Sequence, residues 1–172
     1  IGLVIGHTGV AADDRILDAG TGTGVLSAYL GRLSASVTTY EQSADFADVA
    51  RQNMATAGVS DHVDVRTGDI VDELESLTAG EPFDLVTLDT EDAPEIVASA
   101  PELLVEGGFL AVYSPFIENS RETVAAAEEV GLADIRTFET IQREMQFDDR
   151  GSRPSTAGVG HTGYLTFART DH

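Results

Sequence analysis

Apolar and polar positions along the chain fall into blocks that switch between a two-residue and a 3.6-residue period. Residues 15–18 make a short apolar strand that ends at Gly20, and Leu26, Tyr29, Leu30 and Leu33 then share one face of a helix. Residues 36–41 form a second strand. Ser43 is placed to cap a helix that buries Phe46, Val49, Ala50 and Met54 and stops at Gly58. Residues 62–67 alternate as a third strand, ending at Gly68-Asp69. Residues 83–88 read as a fourth, near-continuous apolar strand, as expected where helices cover both faces. Asp92 and Glu95 make a capping pair, with Pro94 in the first turn of the next helix, which Pro101 ends or kinks. Gly107-Gly108 turns the chain into a fifth strand at 109–113. A helix over about 119–130 points Val124, Ala127 and Val130 inward and ends at Gly131. Residues 135–147 and 164–168 read as a long final hairpin joined by a polar loop at 148–160.

Alternating strands and helices predict an α/β domain with a mostly parallel sheet. No internal repeat or linker divides residues 1–172, and 172 residues suffice for one full hydrophobic core. No apolar run reaches the ~20 residues that span a bilayer, so no membrane partner is expected. The first residues, Ile1-Gly2-Leu3-Val4-Ile5, lack an initiator Met and a basic leader, and read as a chain that starts partway through a longer protein. The sequence has no Cys, which excludes disulfides, thiolate metal sites and a Cys nucleophile. His7, His62, His161 and His172 show no metal-ligand spacing, so no metal is expected.

Charge changes the picture in one respect. Thirty acidic residues face ten basic ones, all Arg, for a net charge of −20. Such a surface opposes a polyanionic partner through repulsion. Alternatively, many Asp and Glu with small side chains and no Lys suit a halophilic protein, since in molar salt the Debye length is only ~3 Å.

The sharpest chemical signal is Asp18-Ala19-Gly20-Thr21-Gly22-Thr23-Gly24, between a strand and a helix. Glycines there let backbone approach a ligand, and a helix N-terminus presents free N–H groups. The spacing is GxGxG, with Val25 where the dinucleotide fingerprint has its third glycine. Asp18 before the turn suits an ammonium group better than a pyrophosphate. Glu41, at the tip of the second strand with Gln42 beside it, can accept both ribose hydroxyls, and Asp69 with the backbone of Ile70 can meet an adenine ring. Asp89 ends the fourth strand, so four acids stand at the ends of four successive strands, the edge where open α/β sheets bind ligands. Taken singly, the glycine turn can be a plain βα connection, Glu41 a helix starter and Asp69 an N-cap. Together they point to S-adenosylmethionine.

With these residues in hand, the chain resembles the class I methyltransferases, and within them the tRNA (adenine-58, N1) methyltransferases. LDAGTGTG (17–24), VTTYE ending at Glu41 and LLVEGGFL (103–110) carry the broad likeness. The narrower one rests on IGLVIGHTG (1–9), YEQSADFADVARQN (40–53), FDLVTLD (83–89) and RPSTAGVGHTGYLTFAR (153–169), the last being the most specific. The resemblance implies a Rossmann-like fold, a mostly parallel seven-stranded sheet with helices on both faces and a C-terminal antiparallel hairpin. It also implies a small β-rich domain ahead of this one, a homotetramer, a cytoplasmic location and tRNA as partner. By resemblance, Gly20, Gly22 and Gly24, with Thr21 and Val25, form the methionine-end loop. Glu41 is then the ribose acceptor, Asp69 the adenine contact, Asp89 the active-site aspartate and Tyr113 an aromatic beside the target base. The chain departs from the family at Thr90-Glu91-Asp92-Ala93-Pro94, where relatives have a proline-rich stretch ending in Trp, and at Asn119, where they have Gln.

Adenine N1 carries an in-plane lone pair, so the expected chemistry is positioning, with Asp89 offsetting the positive charge that develops on the ring. Tyr113 could instead be a core aromatic. Arg143, Arg150 and Arg153 can meet phosphates, yet Glu144, Asp148 and Asp149 sit among them. A methyltransferase for proteins (isoaspartyl type) or small molecules, a nicotinamide oxidoreductase and a catalytically silent subunit remain as other readings.

Overall fold

The computed structural model describes residues 1–33, 36–158 and 160–171; Val159, in the expected loop and tail motif, and His172 lie outside the described residues. Seven strands form one sheet: β1 (Arg15–Ala19), β2 (Ser36–Glu41), β3 (Val63–Thr67), β4 (Phe83–Leu88), β5 (Leu104–Ser114), β6 (Ala133–Glu139) and β9 (Tyr164–Arg169). Their order is β3-β2-β1-β4-β5-β9-β6, with β9 antiparallel to both of its neighbours and the other pairings parallel. The expected mostly parallel seven-stranded sheet with a closing antiparallel hairpin is therefore the fold.

Side chains alternate across the central strands, and both faces are covered. Ile16, Val37, Leu85 and Ala111 face one core with α1 (Gly2–Thr8), α2 (Val25–Gly31) and α3 (Ala44–Ala57). Leu17, Val86, Leu110 and Val112 face the other, with α4 (Ile70–Thr78), α5 (Ala93–Val97), α6 (Ala100–Leu103) and α7 (Ile117–Glu129). Burial on both faces explains why β4 lacks a clean polar alternation. The chain leaves β1 towards β2 on one side, while β4 lies on the other, so the sheet's switch point opens at the C-terminal end of β1.

Several local expectations change. In α2, Leu30 is fully buried, but Tyr29 is 49% exposed and Leu33, beyond its end, is 38% exposed. In α3 the buried stripe is Ala47, Ala50 and Met54, while Phe46 and Val49 stand out to solvent; small alanines let the helix lie close to the sheet and rotate the bulkier pair away. Ser43 does cap α3, accepting from the Phe46 N–H, and Gly58 ends it at φ 71°. Asp92 precedes α5 but accepts no side-chain cap bond. Pro101 opens α6 rather than ending a longer helix, since its missing N–H costs nothing in a first turn. Gly107-Gly108 lies inside β5 as an irregularity, between the Phe83–Leu104 and Leu85–Phe109 pairings. Helix α7 starts at Ile117 and buries Ser120, Thr123 and Ala127, leaving Val124 and Val130 half-buried.

The long strand expected over 135–147 is broken. β6 ends at Glu139, and β7 (Met145–Asp148), at the end of the segment read as strand, pairs only with β8 (Gly151–Pro154), which lies in the segment read as loop. Its residues are all exposed, so no core face imposed an alternating pattern there. No helix among the described residues is long and apolar enough to cross a membrane.

The orientation of α2 gives a direct check. Leu30→Ala should cost about 2–5 kcal/mol in chemical denaturation, as buried leucines do, whereas Tyr29→Ala should stay within roughly 0.5 kcal/mol. Equal losses would mean that α2 presents the other face to the sheet.

Candidate active site

The rim of the sheet is built by backbone bonds that run past the strand ends. Asp89 N–H donates to the Ala19 carbonyl at 2.8 Å, Gly20 N–H to the Tyr40 carbonyl at 3.0 Å, and Gly68 N–H to the Glu41 carbonyl at 2.9 Å. Glu41 and Thr67 are register partners, as are Ala19 and both Tyr40 and Leu88, so the residues after each strand reach one edge together. Gly20 holds φ 86°, and a Cβ added there would lie 2.0 Å from the Asp89 carbonyl oxygen. The first glycine of the turn is thus demanded by its neighbouring strand as well as by its own dihedral angle.

Asp18 lies under this turn. It is 2% exposed, and its carboxylate accepts from Ser27 Oγ and Thr39 Oγ1, both at 2.7 Å, and from Thr87 Oγ1. Thr39 and Thr87 are its register partners on the two flanking strands, and Ser27 comes from α2. Burial raises the Asp18 pKa; the three hydroxyls oppose that, and Glu41 adds to it. Thr21 is buried beside it and shares a hydrogen bond with Thr39. Asp18 is therefore a bonded support beneath the turn, where the sequence suggested direct contact with an ammonium group.

Above it opens a cavity of ≈ 350 Å³ lined by Gly20, Gly22, Glu41, Gln42, Ile70 and Asp89, with Tyr40, Phe46, Gly68 and Thr90 among the rest of the wall. Glu41 Oε2 accepts the Gly22 N–H at 2.8 Å and Oε1 the Ser43 N–H at 3.0 Å, which fixes the carboxylate while each oxygen keeps a lone pair. Asp69 caps α4 through the Val71 N–H and accepts from Gln42 Nε2 at 2.9 Å, so it buttresses the wall from behind. Gly24 and Val25 face a separate depression with Tyr29, Arg32 and Asn53. Phe46, expected in the core from its spacing with Val49, Ala50 and Met54, is instead exposed and forms a side wall of the ≈ 350 Å³ cavity.

Asp89 also lines a second cavity of ≈ 310 Å³, with Leu3, Val4, Leu26, Tyr113 and Leu165. Tyr113 thus shares a chamber with Asp89 but not with the first cavity. Desolvation, and then the negative charge of Asp18, raise the Asp89 pKa. Asp89 stands where the two cavities meet, one rimmed by glycine backbone and carboxylates, the other apolar with one phenol. The expected Arg contacts are partly committed elsewhere: Arg150 pairs with Asp148, and Arg143 donates to the Ser155 carbonyl. Among the described residues no group of three or more His, Asp or Glu side chains is placed to hold a metal ion.

The family of the tRNA methyltransferase complex GCD14 subunit matches residues 1–152. The chain belongs to that family. This GCD14-family chain is similar to the tRNA (adenine(57)-N(1)/adenine(58)-N(1))-methyltransferase TrmI of Methanocaldococcus jannaschii, 31% identical over 98% of this chain and 69% of that protein. Its fold superposes on a SAM-dependent O-methyltransferase from Thermotoga maritima with TM-score 0.87 at 27% identity, covering 99% of this chain and 64% of that one. It also superposes on the tRNA (m1A58) methyltransferase TrmI of Aquifex aeolicus with TM-score 0.84 at 22% identity, covering 98% and 66%. The GCD14-family chain thus spans about two thirds of the length of these relatives.

Asp18→Ala should leave three buried hydroxyls without their acceptor, at about 1–3 kcal/mol for each group left unsatisfied. Chemical denaturation should show a loss of about 3 kcal/mol or more, with a smaller loss for Asp18→Asn. A loss under about 1 kcal/mol would remove Asp18 as the support of the turn.

Proposed function

We propose that this chain transfers a methyl group from S-adenosylmethionine to N1 of an adenine in tRNA, at position 58, with or without the adjacent position 57. The observation that carries the reading is the position of Asp89, shared by a cavity suited to a nucleoside with a charged tail and by an apolar cavity suited to a planar base. The first cavity fits such a cofactor in kind: a backbone turn without side chains, a fixed carboxylate at Glu41 with free acceptor capacity, and the apolar flanks of Phe46 and Ile70. Four acids near one sulfonium also supply a field of the right sign.

The bound cofactor would supply a methyl group on positively charged sulfur. The second cavity would hold the flipped adenine against Tyr113 and the leucine and valine walls, with N1 directed to the methyl carbon. Transfer of that methyl to N1 would leave the bonding pair on sulfur and place positive charge on the ring. Asp89, ionised, offsets that charge from the rim. Glu41 would hold the ribose, and Gln42, braced by Asp69, the adenine side of the cofactor. A haloadapted surface, a homotetramer and a cytoplasmic location belong to the same proposal; the first is supported by a net charge of −20 without Lys.

A labelled-methyl assay on tRNA, followed by nucleoside analysis, should find N1-methyladenosine, and an isoaspartyl peptide offered in parallel should remain unlabelled. Methylation of the peptide alone would replace this reading with the protein-repair one. Asp89→Ala should lower the single-turnover rate on the order of 10²–10³-fold with S-adenosylhomocysteine affinity retained. Glu41→Ala should weaken that affinity roughly 10–100-fold, as loss of charge-assisted bonds does. Because the Asp89 pKa is raised, its ionised form is lost at a higher pH than for an ordinary carboxylate. The acid limb of the wild-type rate should therefore sit above the usual carboxylate range and vanish in Asp89→Ala.

A further inference from the structure

The segment His161-Thr162-Gly163 carries the most specific part of the family resemblance, yet the reaction as described does not use it. It leads into β9 and crosses the ends of β5 and β6. His161 Nε2 lies 2.9 Å from the Pro115 carbonyl oxygen, and Nδ1 lies 2.9 Å from Glu139 Oε1. A carbonyl and a carboxylate can only accept. Neutral imidazole has a single N–H, so only the imidazolium donates to both. Thr162 then donates its hydroxyl to the Thr140 carbonyl at 3.0 Å, and its own carbonyl accepts the Tyr113 hydroxyl at 2.6 Å. Gly163, at φ 115°, lies flat on the Tyr113 ring; a Cβ there would fall 2.4 Å from Cε2. Tyr113, Thr140, Thr162 and Gly163 together form one wall of the apolar cavity.

We infer that doubly protonated His161 is a positioning residue that pins the tail across β5 and β6 and, through the Thr162 carbonyl, sets the orientation of Tyr113 in the substrate cavity. What the cavity receives rests on the proposed function; the pin itself does not. The groups around the ring are Glu139 from β6, the Tyr164 ring of β9 at 4.8 Å and the Pro115 carbonyl beyond β5, while Tyr113 of β5 bonds to the next residue, Thr162. Glu139 first, and then the Pro115 carbonyl, raise the His161 pKa above the usual histidine value. With the folded value raised, the pin is complete at lower pH and is lost as pH climbs through that raised value.

Side-chain and amide NMR of the whole chain, titrated with pH, reads the pin without any substrate. Both His161 nitrogens should be protonated below that raised pKa. The Thr162 and Gly163 amides should move with the same apparent pKa, and Glu139→Gln should lower that pKa. In the methylation assay His161→Ala should reduce kcat/KM for tRNA on the order of ten- to a hundredfold, the scale of a misplaced substrate contact. Loss of the pin should make the wild-type rate fall as pH rises, and His161→Ala should erase this alkaline limb while leaving S-adenosylhomocysteine affinity unchanged. His161→Arg, a permanent cation with several donors, should restore part of the loss without that limb. If His161→Ala fails to fold, Glu139→Gln provides the same two readouts. The inference is overturned if His161 titrates without moving Thr162 and Gly163, or if the variants keep the wild-type alkaline limb. Linked NMR titrations in a protein that methylates no tRNA would leave the pin standing and remove the substrate reading instead.

Discussion

The carboxylate of Asp18 ties together more of this molecule than any other side chain. A buried charge is costly unless its lone pairs are taken up. Here Thr39 and Thr87 answer it from the two strands that flank β1, and Ser27 answers it from the helix that follows. Those bonds span the switch point of the sheet, where no crossover connection holds β1 against β4 directly. Register across the opening is therefore specified by a polar cluster as well as by the apolar pattern. The glycine turn rests on the same cluster through Thr21 and Thr39. Desolvation first, and then the charge of Asp18 acting from below the turn, raise the pKa of Asp89.

The rim above divides by chemistry. On one side backbone and carboxylates present acceptors; on the other Leu3, Val4, Leu26 and Leu165 present hydrocarbon. Alternation along β4 accounts for the division. Leu85, Thr87 and Asp89 fall on the face of α1–α3, so the last of them emerges over Thr87 and into the apolar chamber. The same parity places Ala111 and Tyr113 of β5 beside it. One strand's two-residue period thus puts a carboxylate and a phenol on the wall of a single chamber.

Most of the sheet and its acidic rim could be read from the sequence because both rest on short-range regularities. A strand buried on two faces is a run of apolar residues, and a glycine followed by an acid marks its exit. What could not be read depends on rotation and on exposure. Phe46 and Val49 have the spacing of a buried stripe, but Ala47, Ala50 and Met54 have it too, and only the fit of alanine against the sheet decides between them. Helix α1 contains two glycines in seven residues, which weakens its propensity; it is held by burying Val4 and by His7 stacked on Phe167 at 4.6 Å, contacts distant in sequence. The β7–β8 ribbon has no buried face, and with nothing to alternate against, its boundaries left no periodic trace. At Asp69 the N-cap reading is what the structure shows: one oxygen caps α4, and the other accepts from Gln42, a bond between distant residues that local sequence does not announce.

A chain of net charge −20 proposed to act on a polyanion needs a source of affinity other than attraction to phosphate. On the haloadapted reading the problem eases but does not reverse. Molar salt screens repulsion within ~3 Å, yet it also removes the counterion release that drives most nucleic-acid binding. Burial of apolar surface is not weakened in the same way, and excluded salts strengthen it. Binding energy should then concentrate in the chamber of leucine, valine and tyrosine side chains around a flipped base. Arg150 shares its charge with Asp148 at 3.4 Å, which offsets part of what it offers a phosphate. That weighting makes the shape of the apolar chamber decisive, and its Tyr113 wall is bonded to a tail segment that His161 and Thr162 tie to Glu139, Pro115 and Thr140.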